Sequence, residues 1–342
     1  MAAKKIFNYN WNYNTLKRIY FQLKFKERTE DEQREYLFLE TILANGHVIE
    51  GISFVDDSSF QDKFKYETKT LMVDYYDYLA PIFEFYDNTD DEIETMTYEY
   101  IDVSEEELIE AANKFFKSLD ENWYQLFLNL YNNRNGTVSF TNARSFSTYF
   151  PSNNMWLANI TRNNTIQDYV NTIHEFAHGI ADQMVPQIKT YSSDNIFIEL
   201  FPIVLQMIWL YECDEHGLQL EINKYMNNYL KIMSSYAEEI RMKYNIASSF
   251  VDVTTPRNLC RLIRRTWGIN ISKEEVSQTY NNPVEELFNY VFPFLCAIEL
   301  VDLYRKDKDK FIHTMNRILV SDLKPLEILE KFDIEPNKNL KK

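Results

Sequence analysis

The run His174-Glu175-Phe176-Ala177-His178 sets two imidazoles four positions apart, with a carboxylate between them. On a helix, residues i and i+4 stand one above the other on one face. Both rings can therefore reach one ion. Neutral imidazole is a good zinc ligand, and Glu175 leans toward the same space, where it can take a proton from a metal-bound water. The spacing predicts half of a hydrolytic zinc site. The chain has five histidines among 342 residues, so abundance alone does not account for two of them at this separation.

A zinc site with an open position needs three protein ligands. Glu199 is the strongest candidate for the third. It lies in Ile196-Phe197-Ile198-Glu199-Leu200-Phe201, where an ionised carboxylate is costly unless it is paired or bound to metal. A helix carrying Glu199 antiparallel to the histidine helix would bring the three groups together. The competing reading is two core histidines bonded to backbone carbonyls and a Glu199 paired with Arg or Lys. Glu212, Asp214 and Glu215 sit in a more polar stretch and read as solvated. His216, beside Gly217, reads as a polar helix end, and His313 as a surface residue.

These residues must be positioned by helices. Gly (6) and Pro (9) are scarce and aromatics abundant, with 24 Tyr and 24 Phe, which argues for long helices rather than a turn-rich sandwich. Periodicity predicts a helical pair over 14–44, stopped at Ala44-Asn45-Gly46, and a helix over 60–86. Ser104 with Glu107 is a capping box that starts a helix running to about Leu119, followed by another over Glu121 to Tyr131. Thr137 to Phe140 and Met155 to Ile160 are the best strands. Asn163-Asn164-Thr165, with Asp168, caps the next helix. Its stripe of Ile166, Val170, Ile173, Ala177, Ile180, Ala181 and Met184 turns His174 and His178 toward the interior. The fold class expected is mainly α, with a small β-sheet beside the active-site helix.

A net charge of −16 argues against nucleic-acid and anionic membrane partners. No run of 18 apolar residues is present, and the N-terminus lacks an apolar h-region. Cys213, Cys260 and Cys296 are odd in number and widely spaced, as expected of reduced thiols in a cytoplasmic protein. Oligomeric state is not legible.

Beyond the single motif, the chain from about 70 to 305 resembles the M3 family of zinc metallopeptidases, most closely its oligoendopeptidase F branch. The resemblance rests on Tyr75-Tyr76-Asp77-Tyr78-Leu79-Ala80-Pro81, the Asp102 to Leu108 helix start, Asn135-Gly136-Thr137-Val138-Ser139-Phe140, Met155 to Asn159, the zinc motif, and Tyr191 to Glu199. It implies a helical, zincin-like (gluzincin) fold, zinc held by His174, His178 and Glu199, Glu175 as general base and acid, and a peptide substrate. Met155 to Asn159 would be the strand along the substrate cleft. A reduced N-terminal helical region would occupy 1–65 and the catalytic domain 66–342.

Several positions depart from the family pattern. Ala177 stands where the family has Gly, and the loop around Val185 to Lys189 is trimmed. Gln206 stands where a supporting Glu is expected, seven positions after Glu199. In Phe288 to Leu295, Phe288 replaces the expected His and Leu295 the expected Tyr. Tyr290 is the first candidate for the tyrosine that stabilises the oxyanion, with Tyr280 and Tyr304 behind it. Glu299 either faces the cleft or pairs with a structural Arg such as Arg261 or Arg264. Two further readings stand beside the peptidase: a peptide- or protein-binding relative that has lost efficient turnover, and a helical protein with a chance motif.

Overall fold

The computed structural model describes residues 28, 68–89, 93–132, 136–150, 155–184, 196–213, 218–248, 256–268, 270, 272 and 284–336. The expected helical pair over 14–44, the stop at 44–46, the proposed region 1–65, the trimmed loop, His216 and Tyr280 lie outside the described residues.

The fold is mainly α with one small sheet, as the sequence predicts. Its opening differs from expectation. In place of one helix to residue 86, the chain makes a π turn at Thr70–Asp74, a 3-10 turn at Tyr76–Tyr78, and then α1 at Leu79–Asn88. The break falls at Tyr75, which leaves helical geometry (φ −116°, ψ 4°). Its ring is buried and stacks on Phe288 at 4.5 Å between centroids, a large apolar gain that helical continuity at one residue cannot match.

α2 (Glu105–Leu119) starts where expected. Ser104 Oγ accepts from the Glu107 amide at 3.2 Å, and Glu107 Oε2 accepts from the Ser104 amide at 2.7 Å. α3 (Glu121–Asn132) follows directly. The non-helical segment before α2 is tied to α6 (Gln219–Ala247): Asn228 accepts from the Met96 N–H and donates to the Met96 carbonyl, both at 2.7 Å.

Among the described residues the sheet has three strands, β1 (Gly136–Thr141), β2 (Phe146–Phe150) and β3 (Met155–Thr161), in the order β1-β3-β2. β3 runs parallel to β1 and antiparallel to β2. Two strands were expected, and β2 is added. The resemblance made Met155 to Asn159 the strand along the cleft, but β3 is the central strand, paired on both sides, so the open edges belong to β1 and β2.

α4 (Ile166–Met184) packs on β2 and β3. Its start is anchored by buried Asp168, which accepts from the Asn163 and Asn164 amides at 2.8 and 3.0 Å and pairs with Arg162 Nε at 3.0 Å. Asn164 takes a left-handed conformation (φ 52°), which a short polar side chain tolerates best. Gly179 allows the close approach of helix and sheet. A Cβ there would lie 2.6 Å from Leu130 and 2.7 Å from the Trp156 ring.

α5 (Leu200–Glu212) is apolar nearly all round, and Leu200, Phe201, Ile203, Val204, Leu205, Ile208 and Trp209 are buried. Each such side chain contributes about 1.5–3 kcal/mol relative to exposure, so this helix is fixed in the centre of the fold. α7 (Pro256–Trp267) forms a satellite cluster with the end of α6 through Leu259, Ile263 and Ile246. α8 (Val284–Lys306) is, among the described helices, the one long and apolar enough to cross a membrane, yet Phe288, Val291, Phe292, Leu295 and Ala297 are buried in the core. α9 (Lys308–Leu319) and α10 (Pro325–Phe332) complete the fold.

Candidate metal centre

α4 and α5 place the three predicted ligands together. Glu199 is not inside a helix but is the N-cap residue of α5, at the end of the turn 196–199. Its Oε2 lies 3.0 Å from His174 Nε2 and 3.1 Å from His178 Nε2, and the two Nε2 atoms are 3.2 Å apart. Donors about 2.0–2.1 Å from a tetrahedral zinc stand roughly 3.3 Å apart, so this triangle has the size such an ion requires. Among the described residues, His174, His178 and Glu199 form the one cluster of this kind. The pairing of Glu199 with His178, and of Gln206 with His174, sets α4 and α5 antiparallel, as the sequence predicts.

Gln206, two turns along α5, sets the tautomer. Its Oε1 accepts from His174 Nδ1 at 2.9 Å, so the proton of a neutral His174 sits on Nδ1 and the Nε2 lone pair faces the ligand space. Two lone-pair bearers at 3.0 Å repel unless a proton or a cation lies between them. Burial by itself would lower the His178 pKa, but Glu199 more than offsets it and lifts the value to about 9. Burial would likewise raise the Glu199 pKa, and His178 and His174 instead hold it well below the usual carboxylate range. A divalent cation fits the same donors, with a fourth position open.

Glu175 is buried beside the histidines, and its Oε2 makes no hydrogen bond. Burial raises its pKa to about 7, against the opposing pull of His174, His178 and Arg144. Asp182, one turn beyond His178, is pushed up to about 6 by burial, with His178 opposing.

Tyr290 on α8 feels the charge of this group, and its ring packs near Tyr236 at 6.3 Å between centroids. Its pKa is raised well above normal, first by the Glu199 charge and then by burial. Tyr229 on α6 is raised well above normal too, first by burial and then by Tyr225, Glu199 and Tyr290. Both phenols therefore stay protonated and can donate. Tyr304, a weaker candidate, bonds instead to Glu212. Phe288 stacks on Tyr75 and Leu295 is buried, so the two replaced family positions are core. Glu299 does not face the site; its Oε2 accepts from the Glu335 amide at 2.8 Å. His313 is exposed, as expected.

Sequence reasoning missed Tyr229 and Arg144. Arg144, in the loop between β1 and β2, donates through Nη2 to Glu286 Oε1 at 2.8 Å. A lone Arg in a polar loop gives no sequence signal, and Tyr229 is one of 24 tyrosines.

No family model matches the chain, and no curated protein matches it. Its fold is similar to that of PZ peptidase A, at 9% identity and TM-score 0.52, over 89% of this chain and 61% of that one. A Bacillus anthracis chain assigned as an oligoendopeptidase F aligns at 12% identity and TM-score 0.47, over 89% of this chain and 59% of the other. A Chlamydophila abortus chain assigned as a peptidase gives 12% and 0.49, over 95% and 60%. The chain thus spans about three fifths of the length of these structures. The class this likeness defines is one of fold, mainly helical with a small sheet, shared with PZ peptidase A. Within that class, the chain is marked by its His174, His178 and Glu199 triangle, with Glu175 beside it.

Proposed function

We propose that this protein is a zinc-dependent peptidase of the M3, oligoendopeptidase F-like kind, a short and divergent member acting on oligopeptides. The observation that carries this reading is the unpartnered, buried Glu175 oxygen beside a three-donor triangle of zinc size. A buried carboxylate oxygen without a partner costs stability, and a role in catalysis explains why one is kept there.

His174, His178 and Glu199 would hold the ion, with Gln206 orienting His174. When bound, zinc supplies Lewis acidity and brings the pKa of a water toward neutrality. Glu175 takes the proton from the attacking water and returns it to the leaving amine, which its pKa near 7 suits in both directions. The Tyr290 phenol donates a hydrogen bond to the oxygen that gains negative charge, and Tyr229 stands behind it.

A second reading is a protein that keeps the fold and binds peptides without efficient turnover. The burial of Phe288 and Leu295, where the family resemblance calls for polar groups, favours it. The two part on one comparison: wild type and Glu175→Gln, each measured for bound zinc and for cleavage of a mixed quenched-peptide library. Zinc in both with cleavage only in wild type supports the peptidase. Zinc in both with cleavage in neither supports the binding protein. No zinc in either after supplementation removes the metal site.

A further inference from the structure

The mouth of the site carries one strong cation among acids. Arg144 precedes β2 and reaches across to α8, where it meets Glu286, one helical turn before Tyr290. Its charge also reaches Glu175 and Tyr236. The carboxylates acting on Tyr290 beside it are Glu175, Glu199 and Glu286, and His174 and His178 lie with Glu199. In a strongly acidic chain the guanidinium offers an entering anion a counter-charge separate from the triangle itself.

The guanidinium is not used up by its partners. It has five N–H donors in a planar fork, and its side chain is 75% exposed. Its partner Glu286 is 40% exposed, and an ion pair in water of this kind contributes only about 0–1 kcal/mol. Another carboxylate can therefore join or replace Glu286 at little cost. Glu286 holds the head of Arg144 against α8, which lowers the ordering entropy lost on binding.

We propose that Arg144 binds a carboxylate of the substrate, so that the site selects peptides with an anion close to the scissile bond. This rests on the peptidase reading of the site. Two sources offer this chemistry, the C-terminal carboxylate and an Asp or Glu side chain.

The test measures binding and turnover separately, on the zinc-loaded full chain. Three N-acetylated tetrapeptides are used: Ala-Phe-Leu-Phe as the free acid, the same sequence as the amide, and the amide with Asp in place of Leu. Calorimetry on Glu175→Gln gives affinity without cleavage. The acid, the Asp amide or both bind about tenfold or more tighter than the neutral amide, and whichever arm gains identifies the source. Adding Arg144→Gln abolishes that gain and leaves the neutral amide unchanged, while Arg144→Lys retains part of it. Equal binding of all three peptides overturns the proposal. So does a gain that survives Arg144→Gln, a uniform loss across all three, which marks a purely positioning role, or no binding by any. Turnover by wild type on the same peptides reports on the peptidase reading by itself: selective binding without cleavage sinks that reading and leaves Arg144 as an anion anchor.

Discussion

The Gln206 side-chain oxygen lies 2.9 Å from His174 Nδ1, two helical turns after Glu199, whose carboxylate meets the other nitrogen of the same ring at 3.0 Å. One helix thus supplies a ligand-position carboxylate and the group that orients the histidine it meets. A neutral amide can do this because it accepts from Nδ1 without adding a second negative charge to a buried site.

Replacing Gln206 with Leu removes that acceptor at similar volume. Zinc affinity should fall about 10–100-fold, the usual loss when a group orienting a ligand is removed. Gln206→Glu, which restores an acceptor, should retain or exceed wild-type affinity. Chelator competition at fixed pH reads both. Unchanged affinity in Gln206→Leu would show that the His174 tautomer is set elsewhere.

The metal-free protein should have a distinctive pH dependence. Glu199 is held below its unfolded value, so its contribution is present above about pH 4.5 and is lost as pH falls through its folded pKa. His178 is raised to about 9, so its contribution is complete below its unfolded value near 6.5 and is lost as pH rises toward 9. Glu175, raised to about 7, opposes folding increasingly between its unfolded value and neutrality. Apo stability should therefore decline from about pH 6.5 to 9. Zinc displaces the His178 proton, so apparent zinc affinity should rise about tenfold per pH unit over the same range. Melting curves with and without zinc across this range check both signs, and a zinc increment independent of pH contradicts them.

Gly179→Ala tests the contact between the zinc helix and the sheet. Helix propensity favours Ala by about 1 kcal/mol. The new Cβ, however, would meet Trp156 at 2.7 Å and Leu130 at 2.6 Å, and overpacking of this kind costs about 1–3 kcal/mol. Trp156 is also held by its bond to Ser147 at 2.7 Å and has little room to move. Net destabilisation is expected by denaturant titration; net stabilisation would mean the interface yields.

Tyr290→Phe removes a donor while keeping the ring. On the peptidase reading, kcat should fall about 10²–10³-fold with KM little changed, the loss typical of one oxyanion donor. Tyr304→Phe should leave turnover unaffected, because that hydroxyl is committed to Glu212. If Tyr229→Phe lost more activity than Tyr290→Phe, the two roles would be exchanged.

Much of this arrangement was legible before any coordinates. The capping box at Ser104, the apolar stripe of α4 and the isolated carboxylate in the α5 approach each follow from local physics: helix period, donor satisfaction and the cost of burying charge. What was missed is equally instructive. β2 is a five-residue strand whose sequence, Phe-Ser-Thr-Tyr-Phe, carries no clean alternation, and its pairing is fixed only by β3 lying beside it. The break at Tyr75 depends on Phe288, more than two hundred residues away.

The sequence by itself determined that the two imidazoles meet, since residues four apart share one face of an amphipathic helix. It also pointed to Glu199, because a carboxylate in that apolar setting needs a compensating partner. Only the tertiary structure decided which side chains surround them. Gln206 became the tautomer-setting acceptor, Tyr229 and Tyr290 became donors near the triangle, Arg144 came across from the sheet to α8, and Phe288 and Glu299 went to the core and the C-terminal segment. These are contacts between elements distant in sequence, set by how apolar faces pack, and no local pattern encodes them.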